Sequence, residues 1–148
     1  MKTTLFSVLA IGAAASVLFA ADVPKELIPH PWQPSLSATA SRLQRELSEA
    51  TTQQSINRLS REMADLQDAE LFVTYVRLYE RLPAKEREEL RREQTKWLTA
   101  RSRHVQESIQ SEGGSLAAFE ANDAEAKFTD KRIQELQKRL SNYERKQP

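Results

Sequence analysis

A chain of 148 residues with 22 basic and 21 acidic side chains carries almost no net charge, and it contains no cysteine. Near-neutrality argues against nucleic acid as a general partner, because binding to phosphates needs a net cationic surface. The lack of cysteine excludes a disulfide framework and a lipid anchor on an N-terminal cysteine, so packing alone must stabilise the fold.

The first twenty residues have the pattern of a secretory signal peptide. Lys2 gives a positive start, residues 5–19 are apolar, and the small residues Ala20 and Ala21 precede the first acid, Asp22. A retained membrane helix is the alternative, although the apolar stretch is short for a bilayer span. Cleavage after Ala20 leaves 128 residues with equal numbers of positive and negative charges, enough for one domain with its own core. The pattern predicts an exported protein, either periplasmic or secreted.

Composition divides the rest of the chain into a linker and one domain. Residues 21–36 contain four prolines, which lack a backbone donor and favour extended neighbours, so this stretch is predicted to be a proline-rich linker. Residues 37–146 have almost no glycine or proline and are rich in Glu, Arg, Gln, Leu and Ala. That composition is typical of helices, and it predicts a single helical domain.

Two interruptions indicate where the helices end. Pro83 suits the first turn of a helix, so a second helical segment is predicted to begin there. Gly113 and Gly114 end that segment, and Ser115 is the predicted N-cap of the third. The predicted segments run over about 37–82, 83–112 and 115–146.

Apolar residues recur at helical spacing in the first and third segments. They are Leu59, Met63, Leu66, Val73 and Val76 on one stripe, Leu71, Tyr75, Leu78 and Leu82 on a second, and Leu116, Phe119, Ala126, Ile133, Leu136, Leu140 and Tyr143 in the third segment. The polar run 51–55 is a weak point where the first segment could break. The pattern predicts an all-α fold of three to four antiparallel helices in a small bundle without disulfides. A long coiled coil is disfavoured, because the spacing drifts and the breaks impose hairpins.

The second segment places polar side chains on its apolar face. The residues that share this face are Leu90, Gln94, Trp97, Arg101 and Val105. An arginine in or beside a core needs carboxylate or carbonyl partners. The acceptors predicted for it, all on the first segment, are Asp65, Asp68 and Glu70.

Arg132, one turn after Thr129, raises the same requirement in the third segment. One interpretation of Gln94, Trp97, Arg101, Thr129 and Arg132 is an internal network that fixes helix register. The other is a partner-binding cleft built from the same five residues.

Little in the sequence supports catalysis. His104 and Glu107 stand one turn apart, but no further cysteine or histidine of the domain completes a metal site. Neither a glycine-rich phosphate loop nor a nucleophile elbow is present. We therefore expect no catalytic residue, no metal ion and no cofactor.

Two runs of the sequence carry a family resemblance over residues 55–140. They are Gln-x-x-Trp-Leu-x-x-Arg, starting at Gln94, and Thr-x-x-Arg-x-x-x-Leu, starting at Thr129, with Leu71, Tyr75, Leu90, Gly113, Gly114 and Ser115 at matching separations. In these positions the chain resembles the lysozyme inhibitor LprI-like family of small exported bacterial domains. The resemblance implies a non-enzymatic binding protein that inhibits a lysozyme or a related peptidoglycan hydrolase.

The chain departs from that family at three positions. Many members carry cysteines where Val105 and Ala124 stand here, and an asparagine is common at the position of Phe72. Val105 and Ala124 are nearly equidistant from Gly114, so we expect an apolar contact between them in place of a bridge.

An inhibitor of this kind would fill a carboxylate-bearing saccharide cleft with a protruding loop or helix end. The candidate partner-binding residues are those of the turn, Glu112, Gly113, Gly114 and Ser115. An envelope scaffold or chaperone-like protein that binds other exported proteins through an apolar groove is the alternative. A small hydrolase is the third interpretation.

Overall fold

A computed structural model describes residues 36–145. The predicted signal peptide and the linker up to residue 35 lie outside the described residues. The helices of the described part are α1 Ser37–Glu49, α2 Gln53–Arg81, α3 Ala84–Ser108 and α4 Gly114–Glu144. No strand occurs between residues 36 and 145, so the predicted all-α class is confirmed with four helices.

The predicted first segment is two helices, not one. Ala50 is extended, and Thr52 caps α2 by accepting a hydrogen bond from the backbone N–H of Ser55 at 3.2 Å. The break therefore falls at the start of the polar run 51–55, because a threonine hydroxyl there satisfies a donor that the helix end leaves unpaired.

Pro83 separates α2 from α3. Leu82 and Pro83 are both extended, and Pro83 is the N-cap of α3. The guanidinium of Arg87 donates to the carbonyl of Leu82 at 2.7 Å and to that of Glu80 at 3.1 Å. A side chain in the first turn of α3 therefore satisfies carbonyls at the end of α2 and fixes the reversal of the chain.

The hairpin between α3 and α4 differs from the prediction in two respects. α3 ends at Ser108, four residues before the predicted end, and the predicted N-cap Ser115 is wrong. The N-cap is Gly113 with φ of 91°, followed by Gly114 with φ of 80°. These left-handed conformations favour glycine, so the two glycines themselves make the entry into α4 and Ser115 falls inside its first turn.

α4 is the central helix of the fold. Asn122 donates to Ser60 at 3.0 Å and Gln137 to Glu70 at 3.3 Å, so α4 runs parallel to α2. α3 runs antiparallel to both, packs on α4 and scarcely touches α2, whereas α1 packs on α2. The spatial order is therefore α1, α2, α4, α3.

The main core lies where the α2–α3 turn meets the second half of α4. Its buried members are Leu71, Leu78, Leu82, Leu90, Ile133 and Leu136. Tyr75 packs against this cluster, so the whole second stripe of α2 contributes to the core as predicted. Leu116 does not contribute: it is 50% exposed at the start of α4, beyond the end of the core.

We expect Leu90→Ala to lower the free energy of unfolding by about 3 kcal/mol, because Leu90 is completely buried and its truncation leaves a cavity. Chemical denaturation followed by circular dichroism measures this change. The control Leu116→Ala removes the same atoms from an exposed side chain and should cost under about 0.5 kcal/mol. Equal losses in the two variants would show that the core is assigned wrongly.

Candidate functional site

Arg101 joins three helices at one point. From α3, its Nη1 donates to Asp68 Oδ1 of α2 at 2.6 Å and to Thr129 Oγ1 of α4 at 3.1 Å. Glu125 Oε1 of α4 lies 3.9 Å from the same nitrogen. The guanidinium carbon also lies 5.0 Å from the ring centroid of Trp97, one turn earlier on α3, in cation–π geometry. The positive charge of the mostly buried Arg101 is thus compensated by two carboxylates, and its guanidinium stacks on an indole ring.

Arg132 forms a second network, one turn after Thr129 on α4 and two turns before Arg101 on α3. Its side chain is only 5% exposed, and its Nε donates to Gln94 Oε1 at 3.1 Å. Its Nη1 donates to Glu135 Oε1 at 2.7 Å, and its Nη2 lies 3.8 Å from Glu93 Oε2. Glu93 also accepts a hydrogen bond from Arg139 at 2.6 Å. This network connects α3 to α4 and leaves α2 out.

The structure therefore brings the five motif residues into two adjacent networks. Of the acceptors predicted for Arg101, Asp68 accepts its hydrogen bond, whereas Asp65 pairs with Arg61 and Glu70 accepts from Gln137. Sequence reasoning missed the acids Glu93, Glu125 and Glu135. Glu125 precedes Thr129 by four residues, and Glu135 follows Arg132 by three and precedes Arg139 by four. Helical spacing on α4 was therefore the signal that could have found these two acids.

Aromatic contacts complete the α3–α4 interface. The Phe128 ring lies 5.6 Å from the Trp97 ring and 4.9 Å from the His104 ring, measured between centroids. Trp97 thus packs against Phe128 while Arg101 lies over its ring. These contacts pack the motif face of α3 against α4.

The predicted contact between Val105 and Ala124 remains a prediction. The α3–α4 register pairs Gln94 with Arg132 and Arg101 with Thr129, and its continuation toward the hairpin brings Val105 level with Ala124. Ala124 is buried and Val105 is half-buried. Both observations agree with an apolar contact at this level.

The α3–α4 turn forms an exposed tip at the far end of the bundle. Glu112, Gly113, Gly114 and Ser115 are all exposed, and a Cβ added at either glycine would meet no atom within 4 Å. Two large apolar side chains flank these residues and are themselves exposed, Ile109 and Leu116. We refer to residues 109–116 as the hairpin tip.

One carboxylate braces the hairpin tip from α4. Glu120 Oε2 accepts from the backbone N–H of Gln110 at 2.9 Å and of Ser111 at 3.0 Å, and Oε1 accepts from the Ser111 hydroxyl at 3.0 Å. The hydrogen bond from the Ser111 backbone is the main reason that the pKa of Glu120 is lowered from its ordinary value of 4.5. The tip is therefore ordered by an ionised side chain.

A groove opens between α2 and α3 because these helices scarcely touch. Its volume is about 290 Å³, and most of its accessible lining is apolar. Its residues are Asp68, Leu71, Phe72 and Tyr75 of α2 and Arg91, Gln94, Thr95 and Leu98 of α3. Phe72 is 67% exposed and Leu98 is 42% exposed. Gln94 is the motif residue that lines this groove, and its hydrogen bond from Arg132 connects the groove to the Arg132 network.

None of the described helices is long and apolar enough to cross a membrane. Between residues 36 and 145 there is also no group of three histidine, aspartate or glutamate side chains placed to hold a metal ion.

These features define a small four-helix domain whose helices are joined by two arginine-centred networks and which presents a groove and a braced hairpin. The chain belongs to the family described as lysozyme inhibitor LprI, which matches residues 44–136. The match extends from α1 to α4 and includes the groove, the hairpin tip and both networks except Arg139. No curated protein and no solved structure matches the chain.

We expect Arg101→Ala to lower the free energy of unfolding by about 2 kcal/mol, because it removes two interhelical hydrogen bonds and the contact with Trp97. Arg103→Ala, two residues along the same helix, is the control. Arg103 is exposed and lies 3.9 Å from Glu107, so its loss should cost under about 0.5 kcal/mol. Unchanged stability of Arg101→Ala together with lost partner binding would favour a cleft over an internal network.

We expect Glu120→Gln to remove part of the acid sensitivity of the fold. The pKa of Glu120 is lowered in the folded protein, so its contribution is complete well above the ordinary value of 4.5 and is lost as the pH falls through the folded pKa. The melting temperature of the variant should therefore lie below that of the parent at neutral pH and converge with it in acid. Glu112→Gln, on the same tip, is the control, and an equal pH dependence in both variants would contradict the brace.

Proposed function

We propose that this chain is an exported, non-enzymatic binding domain that inhibits a lysozyme or a related peptidoglycan hydrolase of the cell envelope. Membership of the lysozyme inhibitor LprI family over residues 44–136 carries this proposal. The N-terminal pattern of residues 1–20 supports export, and peptidoglycan lies outside the cytoplasmic membrane. In this proposal the motif residues Gln94, Trp97, Arg101, Thr129 and Arg132 position the helices and do not take part in a reaction.

We assign contact with the hydrolase to the hairpin tip, and in particular to Glu112, Gly113, Gly114 and Ser115. Its supports are exposure, two flanking apolar side chains and the brace from Glu120. A segment that is ordered before binding loses less conformational entropy on association, so it binds more tightly for the same contacts. A narrow turn between two helices also fits the shape of a cleft that holds a saccharide chain between two carboxylates.

Titration of the mature protein, residues 21–148, into peptidoglycan-lysis assays with a panel of lysozymes tests the proposal. Saturable inhibition near one equivalent, at micromolar concentration or below, is the expected result. Absence of inhibition across the panel would leave the fold and family standing and would remove the assigned activity.

Steric variants test the assigned surface. Ser115→Trp places a large ring on the hairpin tip and should weaken inhibition by about tenfold or more, with an unchanged melting temperature. Ala84→Trp is the matched control, because Ala84 is also a small exposed residue in the first turn of a helix, at the opposite end of α3. Equal inhibition by the two variants would show that the tip is not the contact.

A second candidate function is that of an envelope scaffold or chaperone-like protein. The apolar groove between α2 and α3 favours it, because an exposed apolar patch of this kind is a common protein-binding surface. Such a protein would bind unfolded exported clients broadly and weakly, and it would leave the rate of peptidoglycan lysis unchanged. The titration described above separates the two functions.

A further inference from the structure

Phe72 is the most exposed large apolar side chain of the described residues, and it stands on the rim of the groove between α2 and α3. Leu98 is the exposed apolar residue of the opposite rim. The same surface thus supplies a projecting ring and an apolar cavity beside it. Burial of such a ring against another apolar surface is favourable, and a large exposed apolar side chain beside an apolar groove marks a contact surface.

The two charged residues that line the groove, Asp68 and Arg91, have opposite signs and lie toward its two ends. α2 and α3 are antiparallel, so the groove has one end at Asp68 and Leu98 and the other at Tyr75 and Arg91. At the first end, Asp65 stands two helical turns before Phe72 on α2, and more than half of its side chain is exposed. At the second end, more than half of the Arg91 side chain is exposed. Phe72 lies between these ends.

Each of these rim charges already has a partner within the chain. Asp65 pairs with Arg61, Asp68 with Arg101, and Arg91 with Glu88. These pairs leave the rim charges largely solvated, so they contribute little to the stability of the monomer. The same exposure leaves them accessible to opposite charges on another molecule, where they favour orientation and specificity over affinity.

A surface with these features is complementary to itself. In a two-fold contact every patch meets the same patch of the other copy, turned end for end. That rotation places the acidic end of one groove against Arg91 of the other and brings the two Phe72 rings together in the middle. We infer that the groove between α2 and α3 binds a second copy of this chain, through Phe72, Leu98 and the oppositely charged residues at its two ends. The contact is independent of the hairpin tip, which lies at the end of the bundle.

Sedimentation equilibrium of the protein exported and processed from the full chain tests this inference. We expect a monomer–dimer equilibrium with a dissociation constant in the micromolar range, because a single groove and its rim form a small interface. Phe72→Asn should weaken the dimer by about tenfold or more and leave the melting temperature unchanged, since the ring is exposed in the monomer. Leu98→Asn is the second variant, on the opposite rim.

The matched control is Leu116→Asn, which changes another exposed apolar residue to asparagine at the hairpin tip. It should dimerise like the parent. A parent that stays monomeric throughout the micromolar range would overturn the inference. So would a dimer that survives Phe72→Asn, or one that Leu116→Asn disrupts as strongly.

Charge reversal tests the two-fold geometry itself. Asp65→Arg and Arg91→Glu should each weaken the dimer by about tenfold, because each places like charges together at both ends of the contact. Combined in one chain, the two changes restore opposite charges and should return the dissociation constant to near that of the parent. A double variant that dimerises more weakly than either single variant would exclude the antiparallel arrangement. If the groove binds a partner other than a second copy, the parent and all these variants would be monomeric.

Discussion

The hydrogen bonds of Arg101 are the constraint on which the arrangement of α2, α3 and α4 depends. α2 and α3 follow each other through a tight turn at Pro83, yet they scarcely touch along their lengths. Their separation beyond the core is set by α4, which packs on both, and by one guanidinium that reaches from α3 to Asp68 and Thr129. Apolar packing holds the helices together at the α2–α3 turn, and the hydrogen bonds of Arg101 hold them together in the middle of the bundle.

The groove is a consequence of that arrangement. α2 and α3 both pack on α4 and scarcely touch each other, so a space remains between them. Leu71 and Gln94 form its floor, and Phe72 and Leu98 stand on its rims. The domain therefore presents an exposed apolar surface beside the interaction that links its three helices. A charged network can serve specificity of structure in this way even where its net contribution to stability is small.

At the other end of the bundle, the hairpin tip is held by hydrogen bonds and not by apolar packing. The hairpin tip has no buried side chain of its own, and two glycines in left-handed conformations give it its turn. Glu120 compensates by accepting two backbone N–H groups and a hydroxyl from residues 110–111. The protein thus presents two separate surfaces, a braced polar turn and an apolar groove. The proposed inhibition of a hydrolase and the inferred association with a second copy would therefore use different surfaces of one molecule.

The motif residues illustrate how far sequence reasoning extends. Helical spacing alone places Gln94, Trp97 and Arg101 on one face, and the structure shows that face turned toward α4. Because a buried arginine needs an acceptor, an acid on α2 was predicted for Arg101, and Asp68 is that acceptor. The choice of Asp68 over Asp65 depends on helix rotation, which spacing within one helix does not define.

The sequence by itself determined the helical class, the breaks near residues 51, 83 and 113, the second stripe of α2 as core and the family. These follow from local propensities and from periodicity, which act within a few residues. Only the tertiary structure decided that α4 is central, that Glu93 of α3 joins the Arg132 network, and that α2 and α3 leave a groove between them. The contacts behind those features join residues up to 67 positions apart, and their geometry is set by how whole helices rotate and pack against one another.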